Sequence, residues 1–330
     1  MSGVATDPTL ERHVDPDWFR RVLVEDVRRG LGRHPLRIAP RWLYDDVGSE
    51  LFERITRLEE YYPTEAERTV LRLVADRVVE ACPADTIVEL GAGTSDKTRT
   101  LLDAFWPTGI LTRFIGLDVN EAALRRAGRD LVRRYPGLRV HGIIGDFALH
   151  LDRIPDGRRT LVVFLGSTIG NLYVEERRVF LSILAERLRA GGWLLLGVDL
   201  VKPVERLVAA YDDRCGVTAR FTRNVLEVLN RELGADFDAS VFTHVAMWDP
   251  TQSRMDLRLR VEGDHHVRIP GAGTELALFD GDEIRVEIST KFTIEGITRE
   301  LAGAGFAVAE AWTDPRGDVA LVLATTGPRS

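Results

Sequence analysis

The stretch Thr86-Ile87-Val88-Glu89-Leu90-Gly91-Ala92-Gly93-Thr94-Ser95-Asp96-Lys97 carries the clearest chemical meaning in the chain. An apolar run holding one acid enters a glycine turn and then helix-forming residues, and glycines at such a turn let backbone amides approach a ligand closely. A dinucleotide fingerprint would place a third glycine three positions beyond Gly93, where a helix packs against a pyrophosphate; Asp96 stands there instead. The pattern suits a nucleoside without a pyrophosphate. Asp118 closes the next apolar run with a carboxylate able to accept both hydroxyls of a ribose. After the third run, Gly145-Asp146-Phe147 offers an acid for an adenine amino group beside an aromatic for the ring. The fourth run ends in Phe164-Leu165-Gly166-Ser167-Thr168-Ile169-Gly170-Asn171-Leu172-Tyr173, a polar loop at the strand end where open parallel sheets bind their ligands.

Such residues need a scaffold that gathers strand ends. After Pro83, short apolar strands alternate with amphipathic helices, the pattern of a parallel sheet covered on both faces. Strands are predicted at Thr86–Leu90, Phe114–Leu117, Arg139–Ile144, Thr160–Leu165 and Trp193–Val198. Helices are predicted near Lys97–Phe105, Glu121–Tyr135 and Glu175–Leu188, the last stopped by Arg189-Ala190-Gly191-Gly192. Upstream, Trp18–Gly30 has helical spacing, a short helix follows Ser49, and another begins after Thr64 with Glu65 and Glu67 in its first turn, where the helix dipole favours anions. From Lys202 to about Ser289 the strict alternation stops. There Phe221–Leu233 reads as a helix, and Val241–Trp248, Arg254–Val261, His265–Ile269 and Arg285–Ile288 read as strands. A helix at Thr298–Ala304 precedes a hairpin of Phe306–Trp312 and Val319–Ala324, joined at Asp314-Pro315-Arg316-Gly317. The expected architecture is an α/β, Rossmann-like sheet with helices on both faces, ending in an antiparallel hairpin, plus a second, smaller α+β domain.

At 330 residues the chain exceeds one typical domain, and 45% hydrophobic with 29% charged residues is the balance of a soluble globular protein. Its 44 basic and 51 acidic side chains leave a net charge of −7, no footprint for a phosphate backbone, so no nucleic-acid partner is expected. The charged N-terminus and the lack of a long apolar run predict neither signal peptide nor membrane span, hence a cytoplasmic protein with no membrane partner. Cys82 and Cys215 lie far apart without a C-x-x-C, which predicts reduced thiols and no metal site.

Glu89-Leu90-Gly91-Ala92-Gly93 resembles the E-x-G-x-G of class I S-adenosylmethionine-dependent methyltransferases. The loop after the fourth strand has a remote likeness to the N-P-P-Y of adenine methyltransferases but lacks its prolines. Arg41-Trp42-Leu43-Tyr44-Asp45-Asp46-Val47-Gly48-Ser49-Glu50-Leu51-Phe52, Glu60-Tyr61-Tyr62-Pro63-Thr64, GAGTSDKT, FLGSTIGN and Glu287-Ile288-Ser289-Thr290-Lys291-Phe292 together resemble the histidine Nα-methyltransferases of ergothioneine biosynthesis, from about Trp18 to Ala324. The resemblance implies a class I methyltransferase domain (64–200 and 290–330), a substrate-binding domain (10–63 and 201–289), and three successive methylations of free L-histidine by S-adenosylmethionine.

Carried over residue by residue, the resemblance implies a donor pocket of Gly91, Gly93, Lys97, Asp118, Asp146 and Phe147. It implies an amino-acid pocket of Tyr61, Asn171 and Tyr211, with Glu287 and Ser289 for the imidazole, Tyr44 near the amine and a carbonyl at Gly166 facing it. One position departs: where mycobacterial members read an acid and a methionine before Arg-x-Arg, this chain reads Asp256-Leu257-Arg258-Leu259-Arg260, so Leu257 replaces a pocket-wall thioether of similar volume. Strand alternation puts Glu287 and Ser289 on one face. Asn171 and the Tyr211 hydroxyl can donate to a carboxylate without bringing a formal charge beside the sulfonium. The implied enzyme is a monomer. The alternatives are the same N-methylation of tryptophan or tyrosine, or a non-catalytic S-adenosylmethionine-binding protein, to which an amine pocket would be of no use.

Overall fold

Short apolar runs become the strands of an eight-stranded sheet in a computed structural model that describes residues 7–14, 17–32, 34–93, 95–154, 159–188 and 191–327. The chain contributes β1 (Thr9–Arg12), β2 (Thr86–Leu90), β3 (Arg113–Asp118), β4 (Arg139–Ile144), β5 (Thr160–Phe164) and β6 (Trp193–Asp199). It then enters an inserted segment with β7 (Phe242–Asp249), β8 (Arg254–Val261), β9 (His265–Ile269), β10 (Thr274–Leu278) and β11 (Glu283–Thr290). It returns to the sheet with β12 (Ala307–Thr313) and β13 (Val319–Thr325). The sheet order is β1-β4-β3-β2-β5-β6-β13-β12, parallel up to β6 and antiparallel from β13, so the terminal hairpin closes one edge. This is the expected class I methyltransferase-type fold.

Every residue of β2 and β5 is buried, as a strand covered on both faces requires. Successive side chains of β2 serve opposite faces. Ile87 packs in one cluster with Val70, Leu101 and Leu131 of the helices Pro63–Ala81, Thr98–Phe105 and Glu121–Arg134. Val88 and Leu90 pack in another with Phe180 and Ile297 of the helices Val174–Arg187 and Ile294–Gly303. The expected helix stop at Arg189-Ala190, and Thr94 of the glycine turn, lie outside the described residues.

Two units emerge from the packing: Met1–Val14, Pro63–Leu200 and Phe292–Ser330 form unit 1, and Asp15–Tyr62 with Val201–Lys291 form unit 2. Two boundaries lie within two residues of the sequence expectation and the largest difference is at the N-terminus, where residues from 10 onward were expected in the substrate-binding part. Thr9–Arg12 instead pairs in parallel with β4 at the sheet edge, Thr9 opposite His141 and Arg12 opposite Ile144. Its four residues are mostly exposed and show no alternation, so pairing at the sheet edge, with Leu10 packed against Leu124 and Ile144, defines the strand.

Unit 2 combines an antiparallel sheet of order β11-β8-β7 with the hairpin β10-β9. Its core joins Leu23 and Val27 of the helix Trp18–Leu31, Phe221, Val225 and Leu229 of the helix Val217–Leu233, and Met255, Leu257 and Leu259 of β8. The sequence reading left β10 and the helix Val204–Tyr211 of this unit unassigned. Among the described residues no helix is long and apolar enough to cross a membrane.

Candidate functional site

In unit 1 the glycine turn is built by backbone geometry that side chains resist. Gly91 and Gly93 have φ of +67° and +47°, and a Cβ added at either would meet nothing within 4 Å. The turn is therefore left-handed and open on its outer side, a cradle that the edge of a nucleoside can fill. Its position is held by the Gly91 amide on the Leu117 carbonyl (2.9 Å) and by the Gly93 amide on Asp118 Oδ2 (2.8 Å). Asp118 Oδ1 accepts from the Asn120 amide at 2.8 Å, so each oxygen is oriented and keeps a further lone pair for a ligand hydroxyl. Burial raises the Asp118 carboxyl above its usual range, against the pull of these amides. Asp96, at the position of the missing third glycine, is turned to an ion pair with Arg99 at 2.9 Å.

Glu89 lies buried in β2 beneath this turn. Thr98 donates to its Oε1, while Oε2 has no hydrogen-bond partner. Burial pushes its carboxyl up to about 7, outweighing the hydrogen bonds of Thr98 and Ser95 and the nearby Lys97 charge. At the end of β4, Asp146 is buried with Oδ1 accepting from the Ala148 amide at 2.8 Å. Half-buried Phe147 packs edge-on against Phe164, ring centroids 5.1 Å apart.

The loop after β5 turns through two successive left-handed residues, Gly166 (φ +77°) and Ser167 (φ +54°). A serine there is strained by roughly 1 kcal/mol. Its hydroxyl accepts the Asp199 amide at 2.9 Å, and the buried Glu67 carboxylate accepts the Gly166 amide at 2.7 and 3.0 Å. Glu67 also receives the Lys97 ammonium. Its first-turn position had suggested only a favourable helix dipole; packing turns it inward instead. Asn171 ends the short 3-10 turn Thr168–Asn171 that completes this loop.

Unit 2 gathers the remaining site residues. Tyr44 sits between the 3-10 turn Pro40–Leu43 and the helix Asp46–Ile55. Asp45 caps that helix through the Gly48 amide (2.8 Å) and is itself held by Asn224 (2.7 Å). A Cβ at Gly48 would stand 1.7 Å from the Leu43 carbonyl oxygen, so this tight entry to the helix needs glycine. The Tyr44 ring packs edge-on against Phe52 and Phe221, at 5.4 and 5.3 Å. Its hydroxyl donates to Glu287, and burial followed by the Glu287 charge raises it well above the ordinary phenol range. Tyr44 therefore stays protonated at neutral pH and serves as a donor, not as a base.

Glu287 and Ser289 are both buried on β11, and Leu257, fully buried, lies directly opposite Glu287 in the register of β8. Tyr61 stacks edge-on to Tyr211 at 6.1 Å. The Tyr211 carbonyl accepts from the His244 ring at 2.9 Å, which fixes the end of its helix. The Tyr211 and Ser289 hydroxyls lie 2.8 Å apart, and the Lys291 ammonium, 2% exposed, donates to both at 2.7 Å.

Lys291 was read only as part of a motif and given no site role, since neutral donors alone were expected at the substrate carboxylate. A formal positive charge is nevertheless part of this cluster. The alternation that pairs Glu287 with Ser289 continues to residue 291, so a signal existed in the quoted motif. Tyr44, Tyr61, Tyr211, Glu287, Ser289 and Leu257 thus come together in unit 2, whereas Gly166 and Asn171 belong to the donor-side loops of unit 1. Among the described residues no group of three or more His, Cys, Asp or Glu side chains could hold a metal ion.

Comparison with known proteins matches residues 23–326 to a family described as histidine-specific, SAM-dependent methyltransferase. The chain belongs to this family. It is an S-adenosylmethionine-dependent methyltransferase, and the glycine cradle with its oriented Asp118 fits that donor. The chain is 49% identical over 316 residues to the histidine N-alpha-methyltransferase of Mycolicibacterium smegmatis, covering 96% of this chain and 98% of that one. It is 48% identical to the Mycobacterium tuberculosis protein of the same name, with the same coverage. Ergothioneine biosynthesis protein 1 of Schizosaccharomyces pombe is 33% identical over 63% of this chain and 28% of that longer protein.

Proposed function

We propose that this methyltransferase transfers three methyl groups in succession to the α-amino group of L-histidine, giving Nα,Nα,Nα-trimethylhistidine, the first step of ergothioneine biosynthesis. It acts on this small molecule as a cytoplasmic monomer, without nucleic acid or membrane. The observation that carries the substrate assignment is the buried Glu287 carboxylate, bonded by Tyr44 on the strand that also carries Ser289. A carboxylate oriented in this way can accept a substrate N–H, and an imidazole supplies one, so side chains lacking that N–H are disfavoured.

Bound S-adenosylmethionine supplies an electrophilic methyl group on a sulfonium. Asp118 would accept its ribose hydroxyls, Asp146 its adenine amino group beside Phe147, and Lys97 would meet its carboxylate. The hydroxyl cluster suits the carboxylate of the amino acid. Lys291 donates to both oxygens and one hydroxyl donates to the other, which leaves one O–H directed elsewhere, next to a positive charge. Tyr211 therefore suits an anion, as expected, whereas Ser289, expected with Glu287 at the imidazole, shares its hydroxyl with Tyr211 and Lys291. Tyr61 and Leu257 wall the side chain. The Gly166 carbonyl would accept an amine N–H, and Tyr44 would orient the nitrogen and then lie against the growing cation. Proximity and alignment supply the rate once the amine is neutral, and the proton gained by the nitrogen in each of the first two transfers leaves to water before the next attack.

Incubation with the donor and a mixture of the twenty amino acids, followed by mass spectrometry, tests the proposal. Histidine should gain three methyl groups. Methylation of tryptophan or tyrosine with none on histidine would refute the substrate, and accumulation of dimethylhistidine alone would refute the third transfer.

A further inference from the structure

Glu67 is 1% exposed in the helix Pro63–Ala81, and nothing in the donor or amino-acid assignments gives it work. Its two oxygens accept the Gly166 amide at 2.7 and 3.0 Å, and Oε2 also accepts the Lys97 ammonium. One carboxylate thereby ties a residue assigned to the donor to a residue assigned to the amine. The space around it is shaped for this purpose. A Cβ at Gly197 on β6 would stand 2.0 Å from Glu67 Oε1, so that strand keeps a glycine where the acid passes. Holding the Leu165–Gly166 peptide from one side, while Ser167 is held by the Asp199 amide from the other, leaves little freedom for the Gly166 carbonyl. The left-handed pair at 166 and 167 would otherwise relax.

We infer that Glu67 is a positioning residue for methyl transfer, which sets the direction of the Gly166 carbonyl and shares the Lys97 ammonium with the carboxylate of the donor. The inference rests on the roles proposed above for Gly166 and Lys97. Sharing has an unusual consequence: removing the charge of Glu67 frees Lys97 for the donor while it loosens the loop. Glu67→Gln should therefore lower kcat about tenfold or more, while affinity for S-adenosylhomocysteine stays equal or rises. A purely structural acid would lose both together.

The test measures kcat and KM, with the amino acid that wild type accepts from the mixture of twenty, alongside calorimetric titration with S-adenosylhomocysteine. Gly197→Ala is the second variant, since it displaces the same carboxylate by contact without altering any charge, and it decides the matter if Glu67→Gln does not fold. A fallen kcat with retained affinity in the folded variant supports the inference. A kcat within about twofold of wild type, or an affinity loss that matches the kcat loss, overturns it. Failure of wild type to methylate histidine would instead count against the substrate reading alone, because the comparison uses whichever amino acid is accepted.

Discussion

Glu89 should make this protein lose stability as the pH rises toward neutrality, an effect opposite in sign to that of a salt-bridged acid. Its carboxyl is raised from 4.5 to about 7 because burial disfavours the charge more than Thr98, Ser95 and Lys97 favour it. Between those two values the folded chain keeps a proton that the unfolded chain has released, so stability falls with rising pH across that window and is level above it. At 1.36 kcal/mol per unit the full loss is about 3 kcal/mol. Glu89→Gln keeps the shape and the acceptor for Thr98 but cannot ionise. Urea unfolding of wild type and variant, without donor, at several values from about pH 5 to about pH 8 gives the difference free of the other titrating groups. The variant should gain roughly 2–3 kcal/mol on wild type across that range. A difference that stays constant with pH would mean that Glu89 is ionised throughout, and that the unpartnered Oε2 is satisfied in solution by a group that stabilises its charge.

On the proposed donor assignment, Asp118→Ala would remove two charge-assisted bonds to the ribose, worth roughly 1.5–3 kcal/mol each, so S-adenosylhomocysteine should bind at least about tenfold more weakly by calorimetry. Unchanged affinity would displace the donor from this turn. Tyr44→Phe keeps the ring contacts with Phe52 and Phe221 and removes only the hydroxyl on Glu287, so the ratio of mono-, di- and trimethylated product should change while Tm moves little. A lowered Tm with normal product ratios would make Tyr44 a core residue. Glu287→Ala should cut histidine turnover about a hundredfold, near 3 kcal/mol, with donor affinity retained and relative activity toward tryptophan increased in the emptied space beside Leu257. Wild-type turnover in that variant would remove the physical support for histidine.

What the amino-acid order determines on its own is local. Strand and helix periods located β2 to β6, the glycine turn followed from residue types that only a left-handed backbone needs, and Asp118 and Asp146 followed from standing at strand ends. Glu287 and Ser289 could be placed on one face because a strand repeats every two residues. The tertiary structure decided everything that depends on which distant groups meet. Glu67 reaches Gly166 across 99 positions, Tyr211 reaches Ser289 across 78, and Lys291 reaches Tyr211 across 80; no periodicity encodes such pairs. The same holds for β1, whose strand character comes from the open edge of β4. A buried charge or hydroxyl takes its role from the partners that folding delivers, because desolvation makes an unanswered polar group expensive and so selects those partners. That is why Glu67 and Lys291, two ordinary charged residues in the sequence, acquire their meaning only once the chain is folded.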